Sequence, residues 1–435
     1  MRRKFLEELK DWQTRNIKEP LMIVGARQIG KTYIINEFCE ENYENYLYLN
    51  FEDIIKLSSI FEHTLVPKEI ISQIEILLGQ KIDIEKTVIF FDEIQICERA
   101  ITSLKYFCEA KENYRIITAG SLLGVKLHRF ESSFPVGKVR ILNMYPMDFE
   151  EFLWAIGEEN LSKEIKNCFT NKRPMSDILH DKAMQYYTDY LYIGGMPQAV
   201  LNYIEHEKNS ILFERVIHNS IITAYIADMR KYTTSGSETI KINEIYDSIP
   251  KQLAKENTKF KYNLVKPTAN KRDYELPLDW LVASSLVYKA NKVERPENPL
   301  RVFIDQTNFK IYLNDVGLLS TLSNVSYQDI QLNQNNIFKG ALTENYVAQE
   351  LKSKQVDLIY YKPTQTMEID FVISKENQVI PIEVKAGEHI KSRSMSNYII
   401  KYKPPYAIRI SARNFGFSNN IFSIPLYAIF CLGVS

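Results

Sequence analysis

Eight consecutive residues, Gly25-Ala26-Arg27-Gln28-Ile29-Gly30-Lys31-Thr32, carry the strongest chemical signal in the chain. They match the spacing G-x-x-x-x-G-K-[ST] and lie between the apolar run Leu21 to Val24 and a helix-compatible stretch from Tyr33 to Glu41. The two glycines let the backbone curl so that successive N–H groups point inward at phosphate oxygens, and Lys31 reaches the β- and γ-phosphates. Thr32 would place its hydroxyl on magnesium. ATP and magnesium are therefore the expected cofactors, with residues 25–32 as the phosphate cradle. A second cluster, Thr-Val-Ile-Phe-Phe-Asp-Glu-Ile-Gln at 87–95, ends four apolar residues in two carboxylates, as a buried parallel strand does when it delivers acids at its carboxyl end. Asp92 is expected in the magnesium shell and Glu93 as the group that polarises the attacking water. The adjacent Asp-Glu pair points to an ATPase rather than a GTPase. A third apolar run, Tyr114 to Gly120, ends at Ser121, which spacing offers either as a catalytic sensor of the γ-phosphate or as a cap of the following turn.

A different chemistry is drawn by Glu344, Asp370 and the Glu383-x-Lys385 pair. Asp370 lies in the strand-like Glu368 to Ile373 and Glu383 in the strand-like Val379 to Gly387, with a hairpin turn at 374–377 between them. This constellation resembles the PD-(D/E)xK nuclease core. The resemblance implies that Glu344, Asp370 and Glu383 hold a magnesium ion and that Lys385 orients or deprotonates water. Glu368 falls on the same strand face as Asp370, which offers it either as a further member of the metal shell or as a solvated acid. The alternative is a nuclease-like fold that does not cleave and serves as a binding module.

These residues require elements to position them. Three apolar strands separated by helical stretches predict a doubly covered parallel α/β sheet over 1–150. Residues 151–235 read as a helical lid or connector, with Trp154, Tyr186, Tyr187, Tyr190 and Tyr192 as packing aromatics. Residues 236–325 read as a winged helix-turn-helix and 326–435 as the nuclease-like α/β domain. Between 251 and 272 there are seven Lys/Arg (Lys251, Lys255, Lys259, Lys261, Lys266, Lys271, Arg272) against Glu256 alone, interleaved with Phe260 and Tyr262. Such an island on a helix-turn-helix suits phosphate contacts, so DNA is an expected partner; a solvated face that binds protein is the competing reading.

Together with Thr118-Ala-Gly-Ser-Leu-Leu-Gly124, Tyr145-Pro-Met-Asp-Phe-Glu-Glu-Phe152, Tyr192 to Val200, Lys310 to Ser320 and Lys339 to Leu351, the nucleotide motifs resemble a bacterial and archaeal family of AAA-type ATPases. Its members join an N-terminal ATPase to a C-terminal domain of unknown function. The family usually reads Gly-Arg before the Tyr-Pro block, implying a trans-acting arginine finger; here the pair is Gly137-Lys138, and lysine lacks the bidentate fork. Arg129 and Arg140 are the substitutes in sequence, with an ordinary surface cation as the competing reading of each. Ring, dimer and monomer stay open.

The 435 residues carry 54 Lys+Arg and 54 Asp+Glu with 45% hydrophobic residues, which excludes disorder and coiled coil and leaves local patches to decide any polyanion partner. Neutrality hides two basic segments: the 251–272 island, and the stretch from His389 onward, which has six Lys/Arg (Lys391, Arg393, Lys401, Lys403, Arg409, Arg413) and no acid. Five scattered cysteines without a paired motif predict free thiols, and no apolar run is long enough for a membrane helix, so a cytoplasmic protein without a membrane partner is expected. The expected function is ATP hydrolysis coupled to a winged-helix and nuclease-like region acting on DNA. The alternative is a nucleotide-controlled switch that recruits a protein partner.

Overall fold

The computed structural model describes all residues except 16–17, 55, 122–134, 232, 234, 256–258, 333–336, 389–391 and 434–435. Arg129, Glu256, His389, Lys391 and the Leu-Leu-Gly end of the 118–124 segment thus lie outside the described residues. The chain forms two compact units, Met1–Tyr145 with Ala283–Ser285, and Pro146–Val282 with Leu286–Ser435. Sequence alone divides the same chain into four segments; one compact unit holds everything assigned to the last three apart from 283–285.

In the first unit, strands β1 (Leu21–Val24), β2 (Asn45–Asn50), β3 (Thr87–Asp92), β4 (Arg115–Gly120) and β5 (Arg140–Asn143) form a parallel sheet in the order β2-β3-β4-β1-β5. Every residue of β1 and β3 is buried, which is why both read as unbroken apolar runs. Phe51, Phe61 and Phe91 pack with ring centroids 5.6 to 5.9 Å apart beside this sheet. At ~1.5–3 kcal/mol per buried side chain, this cluster anchors the strand that carries the Asp-Glu pair. The register sets Val24 beside Gly120 and Asn50 beside Asp92, so the carboxyl ends of four strands line up at one edge.

The second unit begins with a helix at Phe149–Ala155, entered through a capping box in which Asp148 accepts from Glu151 N–H and Glu151 accepts from Asp148 N–H. Helices Gly236–Leu253, Tyr262–Val265 and Lys271–Ala283 lead to β6 (Val287–Val293) and β7 (Ile304–Leu313), which pair antiparallel, with β8 (Ile359–Tyr361) added parallel to β6. The remaining sheet is β9 (Phe371–Lys375), β10 (Gln378–Val384), β11 (Ala407–Ser411), β12 (Gly416–Ser418) and β13 (Ile421–Pro425), ordered β12-β13-β11-β10-β9. β9 and β10 are joined by Glu376-Asn377 with φ of 48° and 61°, the two left-handed residues that a two-residue hairpin demands. Among the described residues no helix is long and apolar enough to cross a membrane.

The segments around 147, 195, 315 and 349 meet inside this unit. Met147 N–H donates to Gly195 O at 2.7 Å, and Gly195 N–H donates to Asp315 Oδ2 at 2.6 Å. Val316 N–H donates to Gln349 Oε1 at 2.9 Å, whose Nε2 reaches the Tyr190 hydroxyl at 2.8 Å. A Cβ on Gly195 would stand 2.0 Å from Met147 O, so only glycine lets these chains approach. Asp315 also caps the helix Val316–Leu322 by accepting from Leu318 N–H at 3.0 Å. Burial raises its pKa to about 6, against the lowering effect of the N–H groups of Gly195, Leu318 and Gly317.

A raised folded pKa means that the folded state holds the Asp315 proton more tightly than the unfolded chain. The resulting stabilisation is fully present below about pH 4, the unfolded value, and is lost as the pH rises through about 6. Urea midpoints of the second unit measured from pH 4 to 7 should fall more steeply for the wild-type protein than for Asp315→Asn. Equal slopes would show that Asp315 titrates as it does in water.

Candidate functional site

The loop between β1 and the helix Lys31–Asn42 is bent by Gly25 at φ 157° and Gly30 at φ 92°, with Gln28 left-handed at φ 64°. A Cβ on Gly25 would stand 2.3 Å from Met144 O, so the first glycine answers a close backbone approach from the end of β5. Lys31 is buried, and its ammonium donates to Gly25 O at 2.9 Å and Ala26 O at 2.7 Å. The loop thus holds its own cation at the centre of its concave side, where a phosphate would exchange those carbonyls for its oxygens.

Thr32, one residue on, donates through Oγ1 to Asp92 Oδ2 at 2.8 Å. The same Asp92 oxygen accepts from the Tyr48 hydroxyl at 3.1 Å, and that hydroxyl accepts from Asn50 Nδ2 at 3.2 Å. Burial first, and Asp92 next, push the Tyr48 phenol up to about 12, so it stays a donor to the carboxylate. The hydroxyl and carboxylate oxygens brought together here are a hard donor set that fits magnesium. Glu93 takes a left-handed backbone, φ 52°, at the end of β3, and its carboxylate accepts from Gln95 Nε2. Burial raises the Glu93 pKa and Asp92 adds to it, while Gln95 and Lys31 act in the opposite direction. Ser121 is buried directly after β4, beside the β1 end that opens into the loop.

Of the finger candidates, Lys138 pairs with Glu109 at 3.1 Å and Arg140 with Asp11 at 2.8 Å, so both are held by neighbours in the first unit. Three contributors escaped sequence reasoning: Arg3, Tyr48 and Gln95. Arg3 is buried and donates to Ile29 O at 2.9 Å and Tyr145 O at 2.7 Å, tying the loop to the end of its unit. Nothing in the run Met-Arg-Arg-Lys marks it. Tyr48 had a signal, since it and Asn50 share one face of β2 as alternate residues.

The second unit places Glu344, Asp370, Glu383 and Lys385 in one neighbourhood and gives the acids other partners. Lys310 on β7, 1% exposed, ion-pairs with Glu344 at 2.7 Å and with Glu368 at 2.6 Å. Lys362 also pairs with Glu368, and the Tyr312 hydroxyl donates to Glu344 at 2.5 Å. Glu383 is buried between Lys385 and Arg409, each at 3.4 Å, the arginine lying opposite it in the β10–β11 register. Asp370 accepts from Val384 N–H at 2.7 Å. Burial, reinforced by Glu344, raises its pKa to about 7. Among the described residues no group of three or more His, Cys, Asp and Glu side chains is placed to hold a metal ion. Of the acids expected in that shell, Glu344 is engaged by Lys310 and Tyr312, Glu383 by Lys385 and Arg409, and Asp370 by the Val384 N–H. Glu368, offered by its strand face as a further shell member or a solvated acid, is paired with Lys310 and Lys362.

Residues 18–153 match the family model described as an AAA domain. Residues 184–329 and 339–429 match two models described as domains of unknown function, DUF8612 and DUF4143. No curated protein matches the chain. Solved structures similar to it include a Walker-type ATPase of Pyrococcus abyssi, with 13% identity, TM-score 0.45, and coverage of 74% of this chain and 95% of that one. The Aeropyrum pernix ORC2 protein in its ADPNP–ADP complexes has 13% identity, TM-score 0.38, and coverage of 77% and 95%. The Aeropyrum pernix ORC1 protein in complex with DNA has 12% identity, TM-score 0.30, and coverage of 74% and 91%. At these scores the likenesses assign no shared activity.

Replacing Arg3 by Ala would leave the Ile29 and Tyr145 carbonyls without this donor. Charge-assisted hydrogen bonds of this kind contribute ~1.5–3 kcal/mol, so the first unit should unfold at measurably lower urea and bind ATP several-fold more weakly. An unchanged midpoint and unchanged affinity would remove Arg3 from the account of the loop.

Proposed function

We propose that this chain, an AAA-type ATPase through its residues 18–153, hydrolyses ATP in the first unit and uses its nucleotide state to control a nucleic-acid-binding, non-cleaving second unit. The ATPase reading is carried by one observation, the Thr32 hydroxyl 2.8 Å from Asp92 next to a buried Lys31 inside its own loop. Thr32 and Asp92 would hold magnesium, which supplies charge neutralisation across the β- and γ-phosphates. The loop N–H groups orient the phosphates, and Lys31 exchanges two carbonyl partners for phosphate oxygens. Glu93 accepts the proton of the attacking water; its raised proton affinity, caused mainly by burial, suits that role. To act it must release Gln95. Ser121 is the proposed γ-phosphate contact.

The element order of three helices followed by the β6–β7 pair supports a winged helix-turn-helix over 236–313. Lys251, Lys255, Lys261, Lys271 and Arg272 are exposed there, and these lysines are the proposed phosphate contacts. The β9–β10 hairpin, the helix Arg393–Tyr402 and the parallel β11 support a nuclease-like arrangement. Pairing of Glu344, Glu368 and Glu383 with Lys310, Lys362, Lys385 and Arg409 favours a module that binds without cutting. A metal-dependent hydrolase needs uncompensated carboxylates to hold a divalent ion, and here the positive charge is already in place.

Lys31→Ala should lower ATP turnover at least ~100-fold while leaving the unfolding midpoint in place. Glu93→Gln should keep ATP binding and lose ~10²–10⁴-fold in turnover; hydrolysis at the wild-type rate in both variants would sink the site assignment. Duplex DNA should stimulate turnover, and binding should weaken with salt at a slope of about 0.9 per phosphate contacted. Lys251→Glu with Lys261→Glu should flatten that slope, whereas indifference to DNA throughout would assign the second unit to a protein partner. Plasmid DNA should remain uncut with magnesium or manganese; cutting that Asp370→Ala and Lys385→Ala abolish would restore the nuclease.

A further inference from the structure

Among the C-terminal acids expected to hold a metal, one cation position is taken by a particular side chain. The Lys310 ammonium enters from β7 and lies 2.7 Å from Glu344 Oε1 and 2.6 Å from Glu368 Oε1. These are ammonium-to-oxygen distances, well beyond the ~2.0–2.1 Å at which oxygen ligands hold magnesium. Its stem is fully buried, the Tyr360 ring centroid lies 5.0 Å from the ammonium, and Tyr312 donates its hydroxyl to the Glu344 oxygen that Lys310 also engages. A lysine in this position cannot withdraw to solvent without stripping a cation from two largely buried carboxylates, of which only Glu368 keeps a second cation, Lys362, among the described residues. Glu344 comes from the helix Ile337–Ser353 and Glu368 from the segment before β9, so the ammonium bridges elements that only the folded unit brings together.

We propose that Lys310 is a tethered cation that takes the place of a divalent metal ion, closing the acidic site of the second unit to metal. This rests on the non-cleaving reading and deepens it, since it names the group that fills the metal position. It also makes the site convertible. Removing the ammonium while keeping the stem volume should leave a vacated cation position between Glu344 and Glu368, with Asp370 nearby, while Tyr312, Lys362 and the Val384 N–H keep their contacts to these acids.

The test is titration of the full chain with manganese chloride in the absence of nucleotide, followed by calorimetry and by the thermal unfolding midpoint. Wild-type protein should bind no manganese at this site, so Glu344→Gln should leave its titration unchanged. Lys310→Met should gain one manganese ion per chain with at least a ten-fold tighter Kd, and manganese should raise its lowered midpoint. Lys310→Arg should stay folded and metal-free. A Lys310→Met protein that folds only when manganese is added supports the proposal. One that fails to fold in either condition, or that folds and gains no ion, overturns it. Manganese bound by wild-type protein and lost in Glu344→Gln also overturns it. Manganese bound at this site by the wild-type chain without plasmid cleavage would defeat the tethered cation alone, whereas cleavage by the wild-type chain would defeat the non-cleaving reading as well.

Discussion

Asp315 has no contact with water, yet it carries an ionisable group that three backbone N–H groups share. An unpaired buried carboxylate would cost several kcal/mol, so the chain must deliver donors to it before the unit can close. Those donors come from Gly195 on one segment and from Gly317 and Leu318 on the helix that Asp315 itself caps. Gly194 and Gly195 are there because nothing larger fits: a Cβ on Gly194 would stand 2.2 Å from Asp315 Oδ1. Around this carboxylate, Met147, Tyr190, Val316 and Gln349 complete a closed chain of hydrogen bonds. Segments far apart in sequence, which identify a family without offering chemistry, are explained by this constraint. They are the parts of a polar core in which each donor has one acceptor, and replacing any one member strands another.

The first unit obeys the same rule with a different outcome. Lys31 is buried and would be costly if unpaired, so the loop supplies its own carbonyls as partners. Carbonyl acceptors are a weaker match for an ammonium than a triphosphate carrying several negative charges. The difference is what makes a phosphate-binding loop responsive: its resting partners are good enough to hold Lys31 in place and poor enough to be displaced. Thr32, Tyr48 and Asp92 repeat the arrangement with a hydroxyl where a metal would enter. Lys310 contrasts with Lys31 on this point. Its partners are two carboxylates, and no incoming anion improves on them.

Much of this was legible before any coordinates. The strand, glycine loop and helix at 21–41 carry their chemistry in consecutive residues, so local spacing suffices. The same holds for the Asp92-Glu93 pair at the end of a buried strand and for the turn at 376–377. Arg3 and Lys310 were not legible, because their partners lie 26 and 142 residues away in one case and 34 and 58 in the other. Lys310 did leave a trace. It sits between Phe309 and Ile311 in a strand whose last five residues are all buried, a place where lysine is rare unless paired. What sequence could not supply was the identity of the pair, since several acids in the C-terminal region were already committed to a metal by their spacing.

That commitment exposes a general ambiguity in reading acid and lysine spacing as catalysis. Glu383 and Lys385 are alternate residues at the end of β10 and so project to the same face, which brings the ammonium to 3.4 Å from the carboxylate. The spacing that would let a lysine orient water at a metal also lets it neutralise the acid directly. Which of the two happens depends on the neighbouring strand. Arg409 stands opposite Glu383 in the parallel register with β11 and adds a second positive charge to the same carboxylate. Lys310 serves Glu344 and Glu368, while Asp370 accepts from the Val384 N–H and stands in the field of Lys310 and Lys385. The charge that surrounds an acid, and not the spacing of the motif alone, sets whether that acid is available to a divalent ion.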